Sequence, residues 1–162
     1  MSKYYDAIAE GYDELHGKEQ KEKIKFIKSL VNLPKDAKLL DVGCGTGIST
    51  VAWENATGVD PSTELIKIAK SNYKNTKFIK APAEKLPFDD NSFAVITSFT
   101  AIQNFEDIKQ GLKEIKRVGN NIFILTYLKG VRKSKEIEKN IENLWPSARR
   151  YDQRKDIIFI II

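Results

Sequence analysis

Cysteine and histidine are nearly absent from this sequence. Its 162 residues include one cysteine, Cys44, and one histidine, His16. A single cysteine excludes a disulfide within the chain and a zinc site built from several cysteines, and we predict no metal site. We interpret His16 as a solvent-exposed residue near the start of a helix, although histidine is the side chain that most often serves as a catalytic base.

Long hydrophobic runs are also missing. No apolar stretch approaches the roughly 20 residues that a membrane-spanning helix needs, and the opening residues MSKYYDAIAE lack a signal-peptide pattern. We therefore predict a cytoplasmic protein with no membrane partner. Hydrophobic residues make up 41% of the sequence and charged residues 30%, which is ordinary for a globular chain. At this length we expect one domain over residues 1–162.

The excess of positive charge is modest. Lys and Arg number 27 against 22 Asp and Glu, which gives a formal net charge of +5. This balance permits an anionic partner such as RNA, but charge governs association rather than fold. Lysines on solvated helix faces would give the same balance.

The sequence does contain an alternation of compact apolar runs and amphipathic segments. The first predict buried strands, and the second predict helices. In chain order we predict a helix over 18–31, a strand over 38–42, a short helix over 48–54, a strand over 57–60, a helix that Ser62 caps, a strand over 77–81, a loop over 82–92, a strand over 93–99, a helix that ends near Gly119, a strand over 122–128 and a helix through Ile137 and Leu144. This order predicts an α/β fold with a doubly wound, mostly parallel sheet.

The C-terminal residues differ from the rest. Residues 149–152 and 156–162 are predicted to pair as an antiparallel hairpin around residues 153–155. The run IIFIII does not alternate with polar residues, which indicates that both faces of its strand are buried. Because such a run would aggregate at an exposed edge, we place it inside the sheet with a neighbour on each side.

The stretch LLDVGCGTGIST, residues 39–50, places three glycines directly after a predicted strand. Glycine has no β-carbon, so Gly43, Gly45 and Gly47 permit a tight turn that a ligand can approach. Such a strand-to-helix turn also aims backbone N–H groups outward. Its spacing is not the G-x-G-x-x-G of dinucleotide folds. The turn predicts a ligand at the carboxyl ends of the strands, with a tight connection that binds nothing as the alternative.

Asp60 ends the second predicted strand, thirteen positions after Gly47. A carboxylate at this place can accept hydrogen bonds from both hydroxyls of a ribose. The alternative interpretation is a turn residue ahead of Pro61. The glycine turn before it favours the ribose role.

Taken together, these motifs resemble those of a known family. The segments LLDVGCGTG, GVDPS and APAEKLPFDDNSFAVITSF, with the opening KYYDAIAEGYDEL, are similar in order and spacing to the class I S-adenosylmethionine-dependent methyltransferases. The subgroup they resemble includes the quinone-biosynthesis C-methyltransferases, and the resemblance covers residues 4–127. It implies a Rossmann-like methyltransferase fold with seven strands, S-adenosyl-L-methionine as cofactor and an N-terminal helical lid over residues 1–36.

The resemblance also implies a set of site residues. Asp41, Gly43 and Gly45 would surround the methionine end of the cofactor, with Cys44 and Gly47 in the same turn. The other implied contacts are Asp60 on the ribose, Pro61, Ala83 and Glu84 around the adenine, Ser98 and Phe99 at the reacting methyl, and Tyr4, Tyr12, Gln103 and Asn104 toward the substrate.

Three departures from the family pattern affect these expectations. Pro82 stands where the family often has an acidic acceptor for the adenine amino group, so adenine recognition falls to Ala83 or Glu84. Gln103 and Asn104 replace a frequent pair of histidines near the substrate. The sequence Gly119-Asn120-Asn121 replaces a proline-glycine-glycine turn, and we expect its asparagines to adopt left-handed conformations.

Methyl transfer from a sulfonium depends mainly on alignment, which can contribute roughly 7–11 kcal/mol. A general base is therefore optional, and the candidates for one are Tyr12, Glu84 and Gln103. We interpret Cys44 as a small packing residue, because a cysteine nucleophile would have to face the substrate.

The sequence leaves the methyl acceptor open between RNA and a small molecule. It also leaves open an activating partner subunit and a monomer or small oligomer. Two other functions compete with an active methyltransferase. One is a non-catalytic subunit that binds the cofactor or stabilises a partner, and the other is a nicotinamide-dependent oxidoreductase.

A basic cluster near the C-terminus generates a first prediction. It consists of Arg132, Lys133, Lys135, Arg149, Arg150, Arg154 and Lys155. If the cluster binds RNA phosphates, the double variant Arg149→Ala, Arg150→Ala will bind RNA more weakly and with a flatter salt dependence. With fewer phosphate contacts, binding releases fewer counterions from the RNA. Titrations at several salt concentrations measure both effects. Unchanged binding at every concentration contradicts an RNA interface there.

Overall fold

The computed structural model describes the backbone of residues 12–162 and the side chains of residues 17–162. Tyr4 lies outside the described residues, and only the backbone of Tyr12 and of His16 is described. The elements, in chain order, are α1 (Tyr12–Leu30), β1 (Leu39–Val42), β2 (Ala56–Asp60), α2 (Thr63–Asn72), β3 (Lys77–Lys80), β4 (Phe93–Ser98), α3 (Ile108–Val118), β5 (Gly119–Leu128), α4 (Ser134–Leu144), β6 (Arg149–Gln153) and β7 (Asp156–Ile161), with short 3₁₀ turns at Thr50–Ala52 and Ile102–Asn104.

The strands form one seven-stranded sheet in the order β3-β2-β1-β4-β5-β7-β6. Strands β3, β2, β1, β4 and β5 are parallel, while β7 runs antiparallel to both β5 and β6. The predicted doubly wound α/β fold with a C-terminal hairpin is confirmed. The chain order reverses between β1 and β4, so the crevice that open sheets use for ligands lies where these two strands end.

The apolar C-terminal run lies inside the sheet, as the sequence predicted. All six residues of β7 are buried between β5 and β6. Its side chains alternate between two apolar clusters, with Ile158 and Ile160 in one and Ile157, Phe159 and Ile161 in the other. Because both faces carry helices, a strand without polar alternation is stable here.

Each face of the sheet is covered by a different set of helices. Helix α1 packs Ile24 and Ile27 against the cluster that contains Leu39, Val95 and Ile160. Helices α3 and α4 pack against the opposite cluster. Helix α1 is thus part of the core, and the function of residues 1–36 as a lid stays a prediction.

The short helix predicted over residues 48–54 is present only as a 3₁₀ turn and is shorter than predicted. The chain turns there through a single 3₁₀ turn, Thr50–Ala52. The hydroxyls of Ser49 and Thr50 both donate to Asp41 Oδ2, at 2.6 and 2.8 Å. Because these hydrogen bonds hold residues 49 and 50 against β1, the segment turns toward the sheet within a few residues and does not form an α-helix.

The expected left-handed turn at residues 119–121 is wrong. Strand β5 begins at Gly119, and Asn120 and Asn121 lie within it. A β-carbon on Gly119 would lie 2.5 Å from Ile96 Cγ1, so glycine serves close packing against β4 rather than a turn. The left-handed asparagine is Asn91, with φ 56°, whose carbonyl accepts from Asn120 Nδ2 at 3.1 Å.

Two residues of α3 hold the long loop between β3 and β4. The Arg117 guanidinium donates to the carbonyls of Leu86 and Phe88, at 3.0 and 2.8 Å. It also makes a two-pronged contact with Glu114, whose Oε2 accepts from the N–H of Leu86 at 2.9 Å. Hydrogen bonding to Arg117 lowers the pKa of Glu114. This clamp fixes the loop segment that begins with Pro82.

The clamp predicts that Arg117→Lys destabilises the fold although it keeps the charge. A lysine is a single point charge and cannot satisfy two carbonyls and a carboxylate together. We expect the free energy of unfolding to fall by about 2 kcal/mol, the cost of losing hydrogen bonds to a charged group. Denaturant unfolding measures this loss.

Lys113→Ala is the matched control, because Lys113 lies exposed on the same helix. It should change stability little. The difference between the wild type and Arg117→Lys should also shrink in acid, where Glu114 becomes protonated and its lowered pKa no longer contributes stability. Equal stabilities of the two variants at neutral pH would contradict the clamp.

Candidate cofactor site

A cavity opens where β1, β2 and β4 end. The residues that line it come from the ends of these strands and from the loops after β3 and β4. They are Gly43, Asp60, Pro61, Leu65, Ala81, Pro82, Ala83, Glu84, Phe99, Thr100, Ala101, Asn104, Phe105 and Glu106. The sequence predicted this edge of the sheet and half of these residues.

The glycine turn is bent as expected, but its backbone N–H groups are bonded within the protein and do not point outward. Gly43, Gly45 and Gly47 all have positive φ, at 76°, 55° and 90°. The N–H groups of Gly43 and Cys44 donate to the carbonyl of Val59, at 2.8 and 3.0 Å. That of Gly45 donates to Asp60 Oδ2 at 3.0 Å, and that of Gly47 to the Cys44 carbonyl at 3.0 Å. The expectation of outward N–H groups is wrong for these four residues.

Asp41 is fully buried beneath this turn. Its carboxylate accepts from the hydroxyls of Ser49, Thr50 and Thr97, the last at 2.9 Å. Burial raises its pKa, against the effect of the three hydroxyls. The structure does not bring Asp41 to the cavity, and its carboxylate shapes the turn from below. Its predicted contact with the methionine end of a cofactor stays a prediction.

Asp60 connects the turn, α2 and the cavity. One carboxylate oxygen accepts from Gly45 N, and the other accepts from Ser62 N at 2.9 Å. The side chain is mostly buried and lines the cavity. A contact of this carboxylate with the hydroxyls of a ribose stays a prediction.

The loop after β3 forms one wall of the cavity. Pro82, Ala83 and Glu84 all line it. The sequence predicted Ala83 and Glu84 as adenine contacts, and that role stays a prediction. Ala81 N donates to the Asp60 carbonyl at 3.1 Å, which joins this wall to β2. Glu84 Oε1 accepts from Asp107 N at 3.2 Å, so its carboxylate also holds the start of α3.

The end of β4 supplies the opposite wall. Phe99 lines the cavity, whereas Ser98 is fully buried and its hydroxyl has no hydrogen-bond partner. Thr100 and Ala101 follow and also line the cavity, and neither was predicted from the sequence. Thr100 has φ 57°, which is uncommon for a β-branched residue. Its position just after a predicted strand was the only signal that could have identified it.

A buried ion pair holds Thr100 in place. Lys23 of α1 lies 2.9 Å from Asp156 of β7, with side chains that are 6% and 12% exposed. Lys23 Nζ also donates to Thr100 Oγ1, which donates to Asp156 Oδ1 at 3.1 Å. Burial lowers the pKa of Lys23, while Asp156 opposes that shift. Thus α1, β4 and β7 meet at a residue that lines the cavity.

The structure brings one of the two described residues that were predicted on the substrate side to the cavity, and not the other. Asn104 lines the cavity, but Gln103 does not. The amide of Gln103 instead donates to the Thr100 carbonyl at 2.8 Å. The side chain of Tyr12 and all of Tyr4 lie outside the described part. Roles for Tyr12, Glu84 and Gln103 as a general base stay predictions.

Cys44 packs against apolar side chains. It is buried in a cluster with Ile66, Ala69 and Phe78. Burial, together with the nearby carboxylates of Asp60 and Asp41, raises the pKa of its thiol well above the ordinary range. A protonated, buried thiol is a poor nucleophile, which agrees with the packing role predicted from the sequence.

The charges that line the cavity are all negative. Asp60, Glu84 and Glu106 contribute carboxylates, and none of the described lining residues is Lys or Arg. In the basic cluster, Arg150 pairs with Glu138, Arg154 with Glu22, and Lys155 with Glu19. These surface pairs reduce the positive potential of the cluster, and the RNA interface stays a prediction.

The described residues show no sign of a metal or of a membrane span. Within residues 17–162, no group of three or more Asp, Glu, His or Cys side chains is arranged to hold a metal ion. No helix that the structure describes is long and apolar enough to cross a bilayer.

Comparisons with known proteins agree with this geometry. A family model described as a methyltransferase domain matches residues 40–121. Demethylmenaquinone methyltransferase of Chlorobaculum tepidum is 42% identical over 89 residues, which cover 52% of this chain and 37% of that protein. An uncharacterized protein of Methanocaldococcus jannaschii is 38% identical over 147 residues, covering 87% of this chain and 56% of that protein. The chain thus spans about half, or less, of the length of these relatives.

A solved structure shows the same fold. It is a chain of the complex between the Haloferax volcanii Trm112 methyltransferase activator and a methyltransferase, with a TM-score of 0.77 and 18% identity over 93% of this chain and 78% of that chain. Because the family model matches half of the sequence, this chain belongs to the class I S-adenosylmethionine-dependent methyltransferases. The resemblance noted in the sequence is confirmed.

The site predicts that Gly43→Ala lowers the free energy of unfolding for two separable reasons. A β-carbon there would lie 2.3 Å from Ala101 Cβ, and the backbone φ is +76°. Gly130 has a φ of +72° with nothing within 4 Å, so Gly130→Ala carries the conformational cost alone. We expect Gly130→Ala to lower the free energy of unfolding by about 1 kcal/mol. Gly43→Ala should lower it by about 2 kcal/mol more, because the core is overpacked.

Urea unfolding of the two variants without ligand measures this difference. Equal losses would show that Ala101 does not limit the approach of the turn to β4.

Proposed function

We propose that this chain binds S-adenosylmethionine in the cavity at the ends of β1, β2 and β4, and transfers its methyl group to an acceptor by in-line displacement. The observation that carries the proposal is the Asp60 carboxylate, which faces a cavity that contains further acids and no described basic residue. This lining suits a ribose next to a cationic sulfonium and repels a phosphate.

The adenosine end fits the wall formed by the two loops. Asp60 would accept the ribose hydroxyls, and Pro61 and Leu65 provide apolar surface beside it. Pro82 stands where the family often has an acidic acceptor for the adenine. Ala83 would therefore contact the adenine ring through its backbone instead. The absence of a β-carbon on Gly43 leaves room for the cofactor to lie against the backbone of the turn.

S-adenosylmethionine bound there would supply an electrophilic methyl group for the acceptor, with S-adenosylhomocysteine as the leaving group. The protein orients the partners and excludes water. Phe99 and Thr100 form the wall at the end of β4, and the network of Lys23, Asp156 and Thr126 keeps Thr100 fixed. The carboxylates around the cavity favour the cationic cofactor over the neutral product.

The acceptor is a small molecule or RNA. The curated relative at 42% identity is named for demethylmenaquinone, which favours a small aromatic acceptor. The pairing of Arg150, Arg154 and Lys155 with carboxylates weakens the case for RNA. A partner subunit that completes the site is a further proposal, supported by the fold that this chain shares with a chain of an activator complex.

A nicotinamide-dependent oxidoreductase is disfavoured by the same geometry. Binding of a dinucleotide pyrophosphate relies on backbone N–H groups at the glycine turn. Here the N–H groups of Gly43, Cys44, Gly45 and Gly47 are already used within the protein. No described lysine or arginine lines the cavity to replace them.

Ligand binding tests the proposal directly. S-adenosylhomocysteine at 100 times its dissociation constant should raise the free energy of unfolding by roughly 2.7 kcal/mol, since it binds only the folded state. NADH at the same concentration should leave the melting temperature unchanged. A thermal shift with NADH alone would overturn the assignment.

The role of Asp60 is tested with Asp60→Asn and Asp60→Ala. Both should bind S-adenosylhomocysteine at least tenfold more weakly, because a charge-assisted hydrogen bond contributes about 1.5–3 kcal/mol. Asp60→Asn keeps one acceptor for Gly45 N or Ser62 N and should retain the fold. Asp89→Asn is the control, because Asp89 is exposed and does not line the cavity. Full affinity in Asp60→Asn would refute the ribose contact.

Transfer of radiolabelled methyl from S-adenosylmethionine to pools of quinone precursors, other small molecules, protein and RNA separates an enzyme from a non-catalytic subunit. We expect label in a small-molecule pool. Binding of the cofactor without label in any pool, even with a cell extract added as a source of partners, would favour the non-catalytic function.

A further inference from the structure

Strand β6 lies at one edge of the sheet. It pairs with β7 from Arg149 to Gln153 without a bulge, and no other strand of the described residues pairs with it. Its outer edge therefore carries backbone N–H and C=O groups that have no strand partner. Native proteins usually blunt such an edge with proline, a bulge or charged side chains, because it can pair with another chain. Strand β6 has neither proline nor a bulge, and its charged side chains are of both signs.

The two faces of β6 carry different side chains. Tyr151 packs against the apolar cluster beneath α1, so Arg150 and Asp152 lie on the opposite face. There Arg150 pairs with Glu138 of α4, with 3.1 Å between Nη2 and Oε1, and Asp152 pairs with Lys129. The Arg150 and Asp152 side chains nevertheless remain 43% and 61% exposed. Each can therefore contact a further charge of opposite sign.

The order of residues in β6 makes this edge complementary to a second copy of itself. Two edge strands that pair antiparallel around a two-fold axis keep the faces of their sheets aligned, so residues of the same face lie opposite each other. A pairing centred on Tyr151 sets Arg150 opposite Asp152 of the other copy, twice in each dimer. A centre on Arg150 would oppose two arginines, and a centre on Asp152 would oppose two aspartates. The register centred on Tyr151 therefore avoids both repulsions.

The charges of the two copies alternate in sign in this register. Lys129 pairs with Asp152 within one copy, and that aspartate faces Arg150 of the other copy, which pairs with its own Glu138. An isolated surface ion pair contributes little to stability, whereas several alternating charges in a network contribute more. On the opposite face the two Tyr151 side chains lie side by side across the axis, and cross-strand aromatic pairs stabilise sheets.

The other edge of the sheet lacks this complementarity. Strand β3 has an exposed lysine at each end, Lys77 and Lys80, and contains no acidic residue. No register of two β3 strands therefore contains an ion pair between them. Pairing through β6 alone uses the same surface of both copies, so it closes after two chains and does not extend into a filament.

We propose that two copies of this chain associate through β6, antiparallel and centred on Tyr151, so that their two seven-stranded sheets become one. No residue of β6 lines the cofactor cavity, and the inference does not depend on the proposed function. Because a strand of five residues forms a small interface, the dimer should dissociate on dilution.

Sedimentation equilibrium of the full chain over a range of protein concentrations tests this interface. We expect the wild type to shift from monomer to dimer as the concentration rises. Asp152→Arg sets arginines opposite each other in the dimer, and Arg150→Asp sets aspartates opposite each other. Each should raise the dissociation constant of the dimer about tenfold, because like charges directly opposite are destabilising. A wild type that is monomeric at every concentration overturns the proposal.

A mixture of these two variants separates a lost interface from a lost fold. In a mixed dimer, the arginines of Asp152→Arg face the aspartates of Arg150→Asp at both positions. Equal amounts of the two variants should therefore associate about tenfold more tightly than either variant does alone. If the mixture associates no more tightly, these residues do not face each other and the proposal is wrong. Melting temperatures verify that each variant is folded.

Lys109→Asp is the matched control, because it makes the same change of charge as Arg150→Asp at an exposed position of α3. It should leave the dissociation constant of the dimer unchanged. Asp152→Arg and Arg150→Asp change the net charge in opposite directions, so an effect of net charge alone cannot weaken both. A dimer that persists in both variants, or one that Lys109→Asp weakens equally, would place the contact on another surface and contradict the β6 interface.

Discussion

The carboxyl end of β2 is the point on which both the fold and the site depend. The Val59 carbonyl accepts from Gly43 N and Cys44 N, and the Asp60 carboxylate accepts from Gly45 N and Ser62 N. The three contacts from Gly43, Cys44 and Gly45 hold a turn with three positive-φ glycines against the neighbouring strand. The same carboxylate lines the cavity. The residue that we propose as the ribose contact is therefore also a structural part of the turn.

This arrangement determines which ligand chemistry the site can serve. Because the donors of the turn are used internally, it offers a close approach to the backbone rather than a nest for phosphate. The acids around the cavity attract positive charge. Both properties favour a sulfonium nucleoside over a dinucleotide, and they do so independently of any comparison with other proteins.

Helix α1 connects the N-terminal part of the chain to the site in two places. Lys23 and Asp156 hold Thr100 at the wall of the cavity, and Gln20 lines a small pocket beside the glycine turn. Isolated buried charges are costly, so Lys23 and Asp156 are stable there because they pair with each other and with the Thr100 hydroxyl.

The periodicity of the sequence by itself determined the α/β fold, the buried position of β7 and the edge of the sheet that holds the cavity, because burial and strand direction follow from local apolar patterns. Motif order determined Asp60, Ala83 and Glu84 as site candidates. Only the tertiary structure decided that Asp41 faces inward, that the N–H groups of the turn are engaged, that residues 48–54 form no more than a single 3₁₀ turn, and that Thr100 lines the cavity. Each of these depends on partners distant in sequence, such as Thr97 for Asp41 and Asp156 for Thr100, whose contacts no local pattern encodes.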